Sequence, residues 1–293
     1  MPDEGPSDII QPVTVCIAAL CRDERDAPLA VIAADRMVTL GGFIQFEHAV
    51  PKMSYPSPFA IAMIAGDTLF GTRIAQEIAT ALSGTNPQVL EIAHRLASHY
   101  EDTRLMLVET QILAPRGLTL QTFYEHHESL NDQITMMIDQ SMAQLDIGVQ
   151  LVLAGVDAAG AHIYTIENPG RPERQHDVIG YAATGIGAIH AMQSMIGFGH
   201  SSSAGLKETV FRVYASKRRA EVAPGVGLET DLVIISADGL IWLDENMTNQ
   251  LSDIYDQFRD SASAALQTAL GGFDIQMPVS ATTIEDEKDG ADD

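Results

Sequence analysis

The sequence predicts an α+β fold in which two antiparallel sheets lie face to face with helices on their outer sides, a four-layer αββα sandwich. Three observations carry this. Strand-like and helix-like stretches alternate in blocks, in the order strands, helices, strands, helices, strands, helix. The connections within the β blocks are short and turn-like, as antiparallel neighbours require. Both β blocks supply apolar edges to one core, so residues 14–272 form a single domain between a leader at 1–13 and an acidic tail at 273–293.

The leader holds Pro2, Pro6 and Pro12 among acids and reads as loose chain. Apolar runs then predict strands at about 14–22 and 29–36, joined by the polar turn Asp23 to Pro28. A short strand through Phe43-Ile44-Gln45-Phe46 follows, and a buried strand runs from Phe59 to Ala65 and ends at Gly66-Asp67. Leu69, Ile74, Ile78 and Leu82 recur at helical spacing over 68–82. Asn86-Pro87 reads as a helix start, Asn as the cap and Pro at the first position, for a helix reaching Met106. A polar helix with a Met/Leu/Ile stripe is expected at 122–145.

The second β block opens at Ile147. Val149–Val156 and His162–Ile166 flank Asp157-Ala158-Ala159-Gly160, a hairpin signal. A further strand is expected over Asp177–Ala183, then helices at 187–197 and 205–221. Strands at 231–236 and 240–243 surround Ala237-Asp238-Gly239, and a last helix covers 246–271.

The formal net charge of −23 disfavours nucleic acid and anionic membrane surfaces as partners, because phosphates attract Lys and Arg. No apolar stretch approaches the roughly 18–20 residues of a membrane span, and no basic-then-apolar signal opens the chain. The two cysteines, Cys16 and Cys21, read as reduced packing thiols, which suits a cytoplasmic protein. His126 and His127 are adjacent and point to different helix faces, so they make no metal site. Neither metal nor cofactor is expected.

The chemistry centres on Thr14, at the tip of the first strand. Cutting the Val13–Thr14 bond would create a residue with both a hydroxyl and a free α-amine, and the amine could take the hydroxyl's proton. Taken singly, the other polar residues near strand ends are unremarkable. Asp35 could end a strand in a turn with Arg36, Lys52 could be a surface charge, and Gly66-Asp67 could be a plain connection.

Their joint order changes the reading. The segments TVCIAAL, AVIAADRMVTLGGFI, PKM and FAIAMIAGD, followed by QLVLAGVDAAGAHIYTIEN, GYAATGIGA and TDLVIISADG, resemble the proteasome β-type N-terminal-nucleophile hydrolases. The likeness is nearest in style to the bacterial HslV and Anbu relatives and covers most of residues 14–245. It implies a threonine-type endopeptidase freed by self-cleavage and working in a ring-shaped homo-oligomer on peptides or unfolded segments. Thr14 would be the nucleophile, Lys52 a cation that eases loss of its hydroxyl proton, and Asp35 the partner that holds Lys52. The Gly66 N–H would face the oxyanion. Thr39 and Gly41, in an extended segment beside the cleft, would bind a peptide strand by β-augmentation.

The nucleophile assignment depends on register. Matching Ile17-Ala18 to the family's Val-Gly step puts Thr14 at the nucleophile position; matching Val15-Cys16 puts Pro12 there and implies an inactive subunit. The chain also departs from the family pattern. Val13 stands where glycine is usual, and Ile186 and Ala188 occupy the loop that normally carries serines. Glu221 is the candidate for the second supporting acid, whereas Asp231 reads as the residue opening the next strand. Two other classes therefore stay open: a catalytically inactive structural subunit, and an amidase for small amides on the same fold. No Gly-rich Gly-Lys-Ser/Thr loop occurs, so an ATP-driven unfoldase would be a separate protein.

Overall fold

The computed structural model describes residues 14–40, 44–47, 52–174 and 176–273. The chain divides into two compact units, Met1–Leu251 and Ser252–Asp293. In chain order the first unit contains strands β1 (Cys16–Arg22), β2 (Pro28–Asp35), β3 (Met37–Leu40), β4 (Ile44–Glu47), β5 (Met53–Ser57) and β6 (Ala60–Gly66). Helices α1 (Thr68–Ala81), α2 (Val89–Leu107), α3 (Leu120–His126) and α4 (Asp132–Gln144) come next. They are followed by β7 (Val149–Asp157), β8 (Gly160–Glu167), β9 (Arg171–Glu173), α5 (His176–Ile179) and β10 (Tyr181–Thr184). The remaining elements are α6 (Ala188–Gly197), α7 (Leu206–Ala220), β11 (Thr230–Ser236), β12 (Gly239–Trp242) and α8 (Glu245–Leu270), which runs into the second unit. In that second unit, Arg259 lies 3.5 Å from Asp256 and 3.7 Å from Asp260 on one helical surface.

The fold is mixed α and β, with two five-stranded antiparallel sheets ordered β10-β1-β2-β11-β12 and β5-β6-β7-β8-β9. The hairpin β3-β4 forms a separate two-stranded sheet. The central strands are near-continuous apolar runs because they are buried on both faces. Cys16, Ala18, Leu20, Ala30 and Ile32 of the first sheet share a buried cluster with Ile61, Met63, Val152 and Ala154 of the second. On the far side of the second sheet, Ala62, Ile64, Leu151 and Leu153 pack against Ile74 and Ile78 of α1 and Ile92 and Leu96 of α2. Helices α6 and α7 pack on each other and on β1, with α6 also on β10 and α7 on β2. Gly155 permits the close seat of α2: a Cβ there would come within 2.8 Å of Val89 Cγ2 and of Ala60 Cβ.

Several local expectations are corrected. Asp177 opens no strand. His176–Ile179 make one helical turn, Gly180 reverses the chain at φ 90, and the strand starts at Tyr181. Asp177 is instead held across the turn by Ile163 N–H at 2.9 Å. The single helix expected over 122–145 is two, because Leu130 is extended and Asn131 caps a new start by accepting from Gln133 N–H at 2.9 Å. Helix α2 begins at Val89 rather than Pro87, its first N–H taken by Asp157 Oδ2 at 2.9 Å. Residues 108–113 form a π-helical segment and 114–116 a 3₁₀ turn, extending the path of α2. The expectations on the leader, on Gly41 and Phe43, and on the tail beyond Phe273 fall outside the described residues.

Candidate active site

The register of the first hairpin decides which residues meet. Cys16 pairs with Ala34 across β1 and β2, so the chain entering β1 at Thr14-Val15 lies beside the end of β2 at Asp35. The hairpin's other end is set by Asp23, whose carboxylate accepts from Arg25 N–H and Ala27 N–H, both at 2.8 Å. Lys52 arrives from the second sheet. Its carbonyl accepts from Ile64 N–H at 3.1 Å just ahead of β5, which fixes the base of its side chain on the sheet facing β1.

Three sequence-derived residues meet there directly. Lys52 Nζ donates to Thr14 Oγ1 at 2.6 Å, and the Thr14 hydroxyl in turn donates to Asp35 Oδ1. Lys52 Nζ also lies 3.3 Å and 3.4 Å from the two Asp35 oxygens. Thr14 and Asp35 are buried, and only 9% of the Lys52 side chain is exposed, so this is a desolvated ion pair with a hydroxyl inserted into it.

Asp35 is held by more than Lys52. Oδ1 accepts from Val15 N–H at 2.9 Å, and Oδ2 accepts from Met37 N–H at 3.0 Å and Gly227 N–H at 2.9 Å. Three amide donors and a cation stabilise its charge in a place that excludes water. The neighbouring thiol is no rival for Thr14. Burial pushes Cys16 up to about 12, against the opposing pull of Lys52, and burial likewise raises Cys21 to about 11. Both thiols are free and stay protonated at neutral pH.

The loop between β10 and α6 closes over the backbone of Thr14. Gly187 N–H donates to the Thr14 carbonyl at 3.2 Å. At Gly185, with φ 90, an added Cβ would lie 2.3 Å from that carbonyl oxygen. Gln150 on β7 anchors the loop, its Oε1 accepting from Thr184 Oγ1 at 2.7 Å and Gly185 N–H at 3.1 Å. Where serines were expected, this loop supplies glycine backbone, with Ile186 and Ala188 between and beyond.

The other sequence-derived residues are placed as follows. Gly66 ends β6 at φ 94, two residues past Ile64, whose carbonyl lies 3.7 Å from Cys16 Sγ. Among the described residues, no hydrogen bond links Gly66 to Thr14. Thr39 sits in β3 opposite Gln45 of β4, in the small separate hairpin. Glu221 does not reach the triad. It caps α7, with Oε1 2.8 Å from Lys217 Nζ and Oε2 3.2 Å from Arg218 Nε. Asp231 lies in β11 and binds Arg36 Nε at 3.0 Å, which raises the Arg36 pKa.

Sequence reasoning missed Gly227, Gln150 and Lys217. Only Lys217 left a trace, its i, i+4 spacing to Glu221 on a helix; the basic run Lys217-Arg218-Arg219 otherwise reads as a solvated helix end. No cluster of His, Cys, Asp or Glu among the described residues could hold a metal, and no described helix is long and apolar enough to cross a membrane. No protein-family model matches the chain, and no curated protein matches it.

Proposed function

We propose that this chain is a proteasome β-type N-terminal-nucleophile hydrolase that cuts peptide bonds with Thr14, in a ring-shaped homo-oligomer acting on peptides or unfolded segments. The observation that carries this reading is the buried relay Lys52 Nζ to Thr14 Oγ1 at 2.6 Å, with the same hydroxyl donating to Asp35. The finer fold reading, a four-layer αββα sandwich, is supported by the shared core between the sheets and by α1 and α2 covering one outer face. The contacts of α6 and α7 with β1 support it from the other side.

In this mechanism Lys52 stabilises the negative charge that the Thr14 oxygen gains as it loses its proton, and that oxygen attacks an amide carbonyl. Once the Val13–Thr14 bond is cut, the Thr14 α-amine takes the hydroxyl proton and passes it to the leaving amine. An ester on Thr14 Oγ1 remains, and water then hydrolyses it. The first, intramolecular cut cannot use that amine, which is still acylated. Asp35, which accepts the hydroxyl's hydrogen, is assigned as the base for it. It takes the proton as Oγ1 attacks the Val13 carbonyl and returns it to the departing Thr14 nitrogen, and water then hydrolyses the ester between Val13 and Oγ1. The Gly66 N–H is assigned to the oxyanion, and the β3-β4 hairpin carrying Thr39 to an extended peptide.

Intact-mass measurement of the purified protein, with hydrolysis of a fluorogenic peptide library, tests the proposal. Expected are a chain beginning at Thr14 and turnover that vanishes in T14A. A chain still carrying Val13 and showing no Thr14-dependent turnover sinks it. One observation favours a second reading, an inactive structural subunit: the loop over Thr14 offers glycine amides where an active site of this kind would carry hydroxyls. Rings that assemble equally well with T14A, without turnover in either form, would support that reading instead. An amidase for small amides would show turnover of those compounds and none of peptides.

A further inference from the structure

Lys217 is the most fully buried cation among the described residues, with no exposed side-chain surface. It sits in the last turn of α7, a position where a lysine ordinarily reaches into solvent. Burying an ammonium is costly unless it is paired and hydrogen-bonded, so its partners indicate what it does. Nζ donates to Glu221 Oε1 at 2.8 Å and to the Leu228 carbonyl at 2.6 Å.

The second bond is the informative one. Leu228 follows Gly227, whose N–H donates to Asp35 Oδ2 at 2.9 Å. The same stretch is held from its other side by Glu47, whose Oε1 accepts from Leu228 N–H at 2.6 Å and Glu229 N–H at 3.0 Å. Three charged side chains from α7, β2 and β4 thus clamp successive backbone groups of one short loop. Its centre is crowded: a Cβ on Gly227 would lie 2.8 Å from Glu47 Oε1 and 3.0 Å from Met37 N, so a side chain there would push Glu47 off the loop. Burial lowers the Lys217 pKa, while Glu221 and, at longer range, Asp35 oppose that shift.

We infer that Lys217 is a positioning residue for the Thr14 site, fixing the 227–228 backbone so that the Gly227 N–H orients the Asp35 carboxylate toward Thr14. This rests on the peptidase reading above. It predicts that Lys217 controls the reactivity of Thr14 without touching substrate.

The test compares wild type with K217M, which keeps the chain length and removes the donors, and with K217M/E221Q, which also removes the carboxylate left behind. The readouts are kcat and KM per processed chain, and the rate at which a peptidyl electrophile labels Thr14. In folded variants kcat and the labelling rate are expected to fall about 10- to 100-fold with KM within about twofold. A K217R variant, keeping charge and donors, should recover most of the loss. Folded K217M/E221Q with wild-type kcat and labelling overturns the inference. If neither Lys217 variant folds, E47A decides: truncating this exposed side chain removes the acceptor for the Leu228 and Glu229 N–H groups and frees the same loop, so an unchanged kcat there overturns the loop as the link. A wild type that neither turns over peptides nor labels at Thr14 sinks the peptidase reading and the inference together; an active wild type matched by its variants sinks the inference alone.

Discussion

The clusters around Asp35 and Asp177 are assembled from similar parts, yet only the first encloses a hydroxyl between cation and carboxylate. Asp35 accepts three backbone N–H groups and lies against Lys52. Asp177 accepts Ile163 N–H at 2.9 Å, a His162 ring nitrogen at 2.8 Å and Arg174 Nε at 3.1 Å. Burial pushes the Asp177 pKa up, but His162, the Ile163 amide and Arg174 outweigh it, and the carboxyl is held below its ordinary value. Both clusters fasten a strand to a neighbouring segment. The difference is Thr14, whose hydroxyl lies between cation and carboxylate in the first cluster. The second has no such group and, with Asp177 19% exposed, it meets solvent. Buried charge alone is a fastening; a hydroxyl inserted into it makes a candidate nucleophile.

The largest effect expected from breaking this contrast is on turnover. K52M should lower kcat by about 10³-fold or more with the fold retained, whereas R174M, which strips the cation from the other cluster, should leave peptide turnover unchanged. Turnover of K52M within tenfold of wild type would remove Lys52 from the mechanism.

Stability should separate the two carboxylates next. D35N leaves Lys52 without a counter-charge in a dry site and should cost about 3 kcal/mol in urea unfolding. D177N, in a partly wet cluster, should cost about 1–2 kcal/mol. Equal losses would erase the distinction.

Gly185 sharpens the contrast locally. G185A must adopt φ 90 and displace the Thr14 carbonyl, so it should cost about 2 kcal/mol and slow turnover as well. G84A also sits at positive φ, 77, but meets nothing within 4 Å, and should cost about 1 kcal/mol with activity intact.

The smallest effect is a pH dependence. The hydrogen bond to Asp177 raises His162 above 6.5, so its contribution to stability is full below pH 6.5 and fades as pH rises through the folded-state value. Asp177 is lowered from 3.8, so its contribution holds above that pH and is lost as pH falls through the depressed value. The stability gap between wild type and H162Q should therefore be larger at pH 5.5 than at pH 8.5. After allowance for solvent screening it should amount to less than about 1 kcal/mol. A gap that grows toward pH 8.5 would contradict the assignment.

What was legible in the sequence followed from hydrophobic burial. β1, β2, β6 and β7 are buried on both faces, so their strand character is written as apolar runs, and polar turns mark the hairpins at Asp23 and Asp157. Short or half-exposed elements carry no such pattern. β5 and β9 were therefore not resolved as strands, β3 was read only as part of an extended segment, and the strand expected over Asp177–Ala183 took in part of the helical turn at His176–Ile179.

The same division runs through the site. Thr14, Asp35, Lys52 and Gly66 could be nominated from sequence because their order and spacing resemble a family. Tertiary structure alone decided that three of them share hydrogen bonds, and that Glu221 serves Lys217 rather than Thr14. It alone brought Gly227 to Asp35 across 192 residues of chain. Apolar pattern records how much of a side chain leaves water, and the chain spells it out residue by residue. Which polar groups meet in the dry interior depends on sheet register and loop closure, which no local stretch of sequence encodes.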